Sequence, residues 1–182
     1  MRILSPALMA SLVLPLILSA CSPAQNWRNV GFEGSALQAQ LPCKPDRTTR
    51  SVPMGGVPVD LQVAGCESGT AMVAVMTAAL PAGADASAVM AAWQKATLDN
   101  ARVPQPLAAG QQQAWQQPGQ LPLARSVRVQ APGQRVSGEP VRMDAVWGAV
   151  AEGERVRLVH AVVYDRHIAT ELANTLFESI QP

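Results

Sequence analysis

The sequence predicts an α+β fold: an antiparallel sheet of about six or seven strands, with one long helix and a C-terminal helix packed on it. Three observations support this prediction. Apolar and polar residues alternate in several short runs, Gly55-Gly56 separates two of these runs, and the apolar period becomes helical between Gly83 and Asn100. The resulting order of strands, helix, strands and helix is typical of an α+β layer arrangement.

The first strands are predicted from alternation and from one turn. Leu37, Ala39 and Leu41 alternate with polar residues, and Pro42 ends that strand. Residues 46–54 then lead into Gly55-Gly56, a strong hairpin signal because both central residues of the turn can adopt positive φ. Residues 57–63 alternate again and form the returning strand. In the predicted register, two residues that face each other across this turn have residue numbers that sum to about 111.

The remaining elements follow in chain order. Residues 70–80 are apolar on both faces, as expected of a central strand buried on each side. Residues 85–100 form the long helix, which Asp85 or Ser87 caps and which ends before the prolines at 104 and 106. Three strands and the closing helix complete the fold, at residues 124–130, 141–151, 155–164 and 168–180.

The first 20 residues are predicted to be a secretory signal peptide. Arg2 gives a positive start, and the mainly apolar residues 3–18 are shorter than the roughly 20 residues of a membrane-spanning helix. The sequence Leu18-Ser19-Ala20-Cys21 resembles the lipobox of bacterial lipoproteins at all four positions. The resemblance implies cleavage before Cys21, a diacylglycerol on its thiol and acylation of the new amine. The alternative is an ordinary signal peptide whose cleavage site precedes a cysteine.

Lipidation would place the domain close to a membrane. Residues 21–26 form a short tether that spans less than about 20 Å, and residues 27–182 form the single domain. Ser22 rather than Asp follows Cys21, which by resemblance to enterobacterial sorting implies the outer membrane. We expect the periplasmic side rather than the cell surface.

Cys43 and Cys66 remain once Cys21 is lipidated. The hairpin brings them together at its open end, since their numbers sum to 109. The periplasm oxidises thiols, so the sequence predicts a Cys43–Cys66 disulfide. Their separation excludes C-x-x-C redox chemistry, and the absence of nearby histidines excludes a zinc site.

Charge and motifs exclude several classes of function. The chain has 14 basic and 13 acidic residues, and loss of Arg2 with the signal leaves 13 of each. This neutral balance argues against a nucleic-acid partner. The sequence has no phosphate-binding, dinucleotide-binding, zinc-protease or serine-hydrolase motif, and we expect no cofactor and no metal.

The motif "LPCKP", the Gly-Gly hairpin, the long helix and the terminal "LFESI" helix together carry a second resemblance. The chain resembles small envelope lipoproteins of Gram-negative bacteria and, more loosely, the sheet-plus-helices fold of PsbP, an extrinsic subunit of photosystem II. The likeness spans about residues 30–180 and implies an assembly or binding module without catalysis. It assigns no site residues.

Two groups of residues are candidates for binding. Trp115 lies in the Gln-rich stretch at residues 111–120, and Trp27 lies near the tether, so either would contact a membrane or a partner if exposed. Arginines on polar positions of neighbouring strands would form a strip for anionic lipid or glycan phosphate: Arg128, Arg142, Arg155 and Arg157. A solvated face, with its charge offset by nearby acids, is the alternative for the strip.

Two functions from different classes follow. The first is a lipid-anchored binding or assembly module, without catalytic residues, that contacts an envelope protein, anionic lipid or glycan. The second is an envelope hydrolase or glycan-modifying enzyme that uses Asp165 and His167, with Glu171 nearby. His160, within "RLVHAVVY", is predicted to be a buried core residue. A cleft that contains Asp165 and His167 would favour the enzyme, whereas an exposed apolar surface would favour the binding module.

Overall fold

The computed structural model describes residues 25–182, so the predicted signal peptide and Cys21 lie outside the described residues. The part described contains nine strands and two helices. The strands are β1 (Arg28–Gly31), β2 (Gln38–Leu41), β3 (Asp46–Met54), β4 (Val57–Ser68), β5 (Ala71–Ala79), β6 (Gln112–Ala114), β7 (Val127–Gln134), β8 (Pro140–Glu152) and β9 (Arg155–Asp165). The helices are α1 (Ala86–Asn100) and α2 (Thr170–Glu178).

Seven strands form one antiparallel sheet in the order β3-β4-β5-β9-β8-β7-β6, and β1 pairs with β2 in a separate two-stranded sheet. The α+β class is therefore confirmed, although β1 and β6 were not predicted. The strand at Leu37–Leu41 was expected in the main sheet, and it instead pairs with β1. No helix between residues 25 and 182 has the length and apolar content to cross a membrane.

The β3–β4 hairpin follows the predicted register. Met54 pairs with Val57 across the Gly55-Gly56 turn, and Asp46 pairs with Gly65, so each pair sums to 111. Both glycines have positive φ, which explains why this turn needs two of them.

The main sheet is covered on both faces. On the first face, here called the α1 face, α1 packs over alternate residues of β7, β8 and β9, among them Met143, Trp147 and Leu158. On the opposite face, here called the α2 face, α2 and the β1–β2 sheet pack over residues such as Val75, Val146 and Ala161. Because side chains alternate along each strand, the central strands β4, β5, β8 and β9 contribute to both cores.

The helix boundaries follow local signals. The Asp85 carboxylate accepts hydrogen bonds from the N–H groups of Ser87 and Ala88, at 2.9 and 3.1 Å, and so caps α1 as predicted. The C-terminal helix ends at Glu178, earlier than the expected residue 180, because Gln181 pairs with Gln38 of the small sheet.

One strand is displaced from its predicted position. The strand expected at residues 124–130 is β7, Val127–Gln134, and it continues through Pro132. In the described part β6 pairs only with residues 127–129 of β7. Pro132 therefore has no neighbouring strand on one side, where its missing N–H costs no hydrogen bond.

Candidate ligand-binding cleft

Helix α1 crosses its face of the sheet diagonally and leaves part of that face open. Near its start, Ala88 and Ala92 pack against Gly55 at the β3–β4 turn. Past its end, the carbonyl of Ala101 accepts a 2.7 Å hydrogen bond from the N–H of Gln134 on β7. The helix thus runs from one edge of the sheet towards the other, and the ends of β4, β5 and β9 opposite the Gly55 turn remain uncovered.

This open region forms a cleft of about 490 Å³ between α1 and the sheet, here called the α1 cleft. Its volume falls in the usual range of roughly 300–1,000 Å³ for ligand pockets. The lining residues come from β3, β4, β5, β9 and α1: Val52, Pro53, Met54, Leu61, Met72, Ala74, Met76, Trp93, Ala96, Thr97, Asn100, His160, Val162 and Tyr164.

A second depression of about 320 Å³ adjoins the α1 cleft and shares Met72, Asn100 and Tyr164 with it. Its other side is the β7–β8 turn, where Val136 is 98% exposed. The two depressions together make a groove along the flank of α1.

The open floor of the α1 cleft is apolar. Met72 is 39% exposed, and Leu61, Ala74 and Met76 are only partly buried. Exposed apolar groups that adjoin one another are characteristic of interaction surfaces, whereas scattered ones are ordinary. Met72 and Met76 have unbranched, polarisable side chains that adapt to ligands of different shape.

His160 forms part of the cleft wall and is fully buried, as predicted for a core histidine. Its ring stacks on Trp147, with centroids 4.4 Å apart and planes 4° apart, and meets the edge of Trp93 at 5.4 Å. Burial lowers the pKa of His160 from 6.5 to about 4, so the ring is neutral at physiological pH. Tyr164, further along the same wall, has its pKa raised to about 12 by burial.

The predicted disulfide is confirmed. Cys43 and Cys66 are bonded, with Cα atoms 6.0 Å apart, at the open end of the β3–β4 hairpin. Cys66 packs against the core of the α2 face, so the disulfide lies on the side of the sheet away from the cleft. It closes the hairpin rather than contributing to the site.

The arginine strip is not a continuous exposed surface. Arg128 forms an ion pair with Asp144, and Arg157 is 3% exposed and paired with Glu152. Arg142 and Arg155 are exposed, but they lie at opposite ends of β8 and β9, about 33 Å apart along the strands. The expectation of four neighbouring free guanidinium groups was wrong, because α2 covers Arg128 and the β1–β2 loop covers Arg157. The two that stay exposed are too far apart to act together.

The expected exposure of Trp115 was also wrong. Its side chain is 8% exposed and joins the core of the α2 face, and Gly148 on β8 leaves the space that the indole ring fills. Trp27 is partly buried against the same core. Trp93 and Trp147 are buried as predicted.

Asp165 and His167 do not form an acid–base pair in the described residues. The Asp165 carboxylate accepts a hydrogen bond from the N–H of Arg166 at 2.7 Å, and His167 is exposed. Neither residue lines the α1 cleft, and Glu171 lies exposed in the first turn of α2. Within residues 25–182, no group of three or more His, Cys, Asp or Glu side chains is arranged to hold a metal ion.

The apolar run at residues 70–80 was predicted to be buried on both faces. On the α2 side of β5 the residues from Ala71 to Thr77 are buried, whereas Met72, Ala74 and Met76 on the α1 side are exposed or only partly buried.

Comparisons of the chain with protein-family models and with curated proteins found no match.

Proposed function

We propose that this domain is a non-catalytic binding module that takes an apolar ligand into the α1 cleft. One observation carries the proposal: adjoining apolar side chains of β4 and β5 lie uncovered beside α1, in a cleft of ligand size. Apolar surface left in water costs about 25 cal/mol per Å², so a ligand that covers it gains that free energy.

The proposal includes the membrane anchor predicted from Cys21. A lipidated Cys21 and a tether of about six residues would hold the cleft close to the outer membrane, on its periplasmic side. The ligand would then come from the lipid surface or from an envelope protein that meets it. Arg128 and Arg157 do not support binding of anionic lipid or glycan, since their guanidinium groups are paired within the fold.

The test uses N-phenyl-1-naphthylamine, an apolar probe whose fluorescence rises when it leaves water. Residues 21–182 with Cys21 replaced by Ser would be titrated with the probe, alongside an Ala96→Trp variant. Ala96 lines the cleft from an exposed position of α1, so the added indole should fill the cleft without disturbing the core. We expect the probe to bind the parent protein and to bind Ala96→Trp at least about tenfold more weakly, a loss of about 1.4 kcal/mol.

Lys95→Trp is the matched control. Lys95 is on the same helix, is exposed and does not line the cleft, so this variant should bind the probe as the parent does. Absence of binding to the parent, or equal loss in both variants, would contradict the proposed function.

A further inference from the structure

One polar atom in the wall of the α1 cleft lacks a hydrogen-bond partner. His160 Nδ1 lies 2.9 Å from the carbonyl oxygen of Val146, and a carbonyl only accepts, so Nδ1 carries the proton and donates. In the neutral ring Nε2 is then an acceptor, and it has no partner among the described residues. A buried acceptor left unpaired is costly, so a group in this state calls for an explanation.

The ring cannot turn to find a partner elsewhere. Trp147 stacks on one of its faces, the edge contact with Trp93 restricts it further, and the hydrogen bond to Val146 fixes its tilt. The sequence thus places a fixed hydrogen-bond acceptor in an otherwise largely apolar wall. Fixed polar groups of this kind are what give specificity to apolar pockets.

We propose that His160 Nε2 selects the ligand of the α1 cleft, by accepting a hydrogen bond from an O–H or N–H group on an otherwise apolar molecule. This inference rests on the proposed function and names the chemical class of its ligand: an otherwise apolar alcohol, phenol, amide or arylamine. A pure hydrocarbon leaves the acceptor unpaired. An ionised carboxylate offers only acceptors and is rejected at this atom.

We expect the ligand to reach His160 Nε2 by displacing the side chain of Met76. Met76 lies directly opposite His160 in the β5–β9 register, on the same face of the sheet, and is only partly buried. Met54 and Met72 line the same cleft. Since methionine side chains have three rotatable bonds and adapt readily, displacement of Met76 by a ligand uncovers the ring without movement of the backbone.

The experiment compares two probes that differ in one donor. N-phenyl-1-naphthylamine has a single N–H, and its N-methyl derivative has none. An isomer methylated on the naphthyl ring keeps the N–H and controls for the added volume. For the parent protein we expect the N-methyl derivative to bind about tenfold more weakly than the ring-methylated isomer.

In a His160→Phe variant, which keeps the aromatic ring and loses Nε2, the two methylated probes should bind equally. Equal binding of both probes to the parent protein overturns the inference while leaving the proposed function intact, whereas failure of every probe to bind contradicts the proposed function. If His160→Phe does not fold, the two methylated probes are compared in Thr97→Val, Asn100→Leu and Tyr164→Phe, which remove the other side-chain acceptors of the lining. A ratio that persists in all three supports His160, and loss of the ratio in any one of them overturns the inference. A ratio that persists in folded His160→Phe assigns the selectivity to another residue and also overturns the inference.

Discussion

Arg128 on β7 and Asp144 on β8 form a bidentate ion pair, in which Nε–Oδ1 is 2.8 Å and Nη2–Oδ2 is 2.6 Å. The pair is almost enclosed, since the side chains are 15% and 3% exposed. Arg128 also donates to Asn174 of α2 at 2.9 Å and lies over the ring of Phe177. The pair therefore joins the sheet to α2 and is a structural contact rather than a surface for anions.

Removing one partner should strongly destabilise the domain. Asp144→Ala leaves the Arg128 guanidinium largely buried without its counter-charge, so we expect a loss of about 3–5 kcal/mol in the free energy of unfolding, measured by urea denaturation. Arg142→Ala, at an exposed position two residues away, should change it by less than about 0.5 kcal/mol. Similar small losses in both variants would show that the pair does not hold α2 to the sheet.

The sequence predicts charged residues at alternate strand positions, but not what covers them. Arg128, Asp144 and Arg157 occupy polar positions of the alternating pattern, and such positions normally face water. The structure covers that face with α2 and the β1–β2 sheet, and the charges are buried as matched pairs. Only the tertiary arrangement decides whether the polar face of a strand is exposed or covered, because the alternating pattern of the strand itself is the same in either case.

The hairpin and the cleft show the same contrast between local and tertiary information. The register of β3 and β4, and with it the Cys43–Cys66 disulfide, follows from a two-glycine turn and from alternation, both of which are local. The cleft depends on the direction in which α1 crosses the sheet. No local pattern specifies that direction, so the uncovered apolar residues of β5 were expected to be buried.

A second prediction concerns the space that Gly148 leaves for Trp115. A Cβ atom at Gly148 would approach the Trp115 ring and the Gln120 side chain to 2.8 Å, and neither contact is sterically allowed. Gly148→Ala should therefore cost about 1–3 kcal/mol, which lowers the melting temperature by roughly 2–4 °C per kcal/mol in a domain of this size.

Gly31→Ala is the control, because a Cβ atom there has no neighbour within 4 Å and its backbone does not require glycine. This variant should be as stable as the parent or slightly more stable, since alanine restricts the unfolded chain. If thermal denaturation gave equal melting temperatures for the two variants, the packing of Trp115 against Gly148 would be in doubt.

A third prediction tests the membrane anchor. Cys21→Ala should abolish incorporation of labelled palmitate and move the full-length protein out of the membrane fraction, because the alanine side chain has no thiol to acylate. Cys43→Ser serves as the comparison: it removes the disulfide but leaves the proposed lipidation site intact, so labelling should persist. Palmitate labelling that persists in Cys21→Ala would contradict the lipobox interpretation.

The fourth prediction follows from the buried, neutral ring of His160. Its pKa is about 4 in the folded protein because burial disfavours the charged form, and 6.5 is the ordinary value expected in the unfolded chain. Between these two pH values the unfolded state binds more protons than the folded state, so protonation favours unfolding. The contribution of His160 to the free energy of unfolding is fully present above about pH 6.5 and falls as the pH is lowered. By about pH 4 protonation of this residue lowers the free energy of unfolding by about 3 kcal/mol.

His160→Phe separates the effect of His160 protonation on stability from the effect of the carboxylates, which also take up protons as the pH falls. The free energy of unfolding, measured by urea denaturation at a series of pH values from 7 to 4, should decline more steeply for the parent protein than for the variant. The difference should grow mainly between the two pKa values of His160, 6.5 and about 4. Parallel curves for the parent and His160→Phe would mean that the ring is accessible to protons in the folded state, and the α1 cleft would then be a more open site than its buried wall indicates.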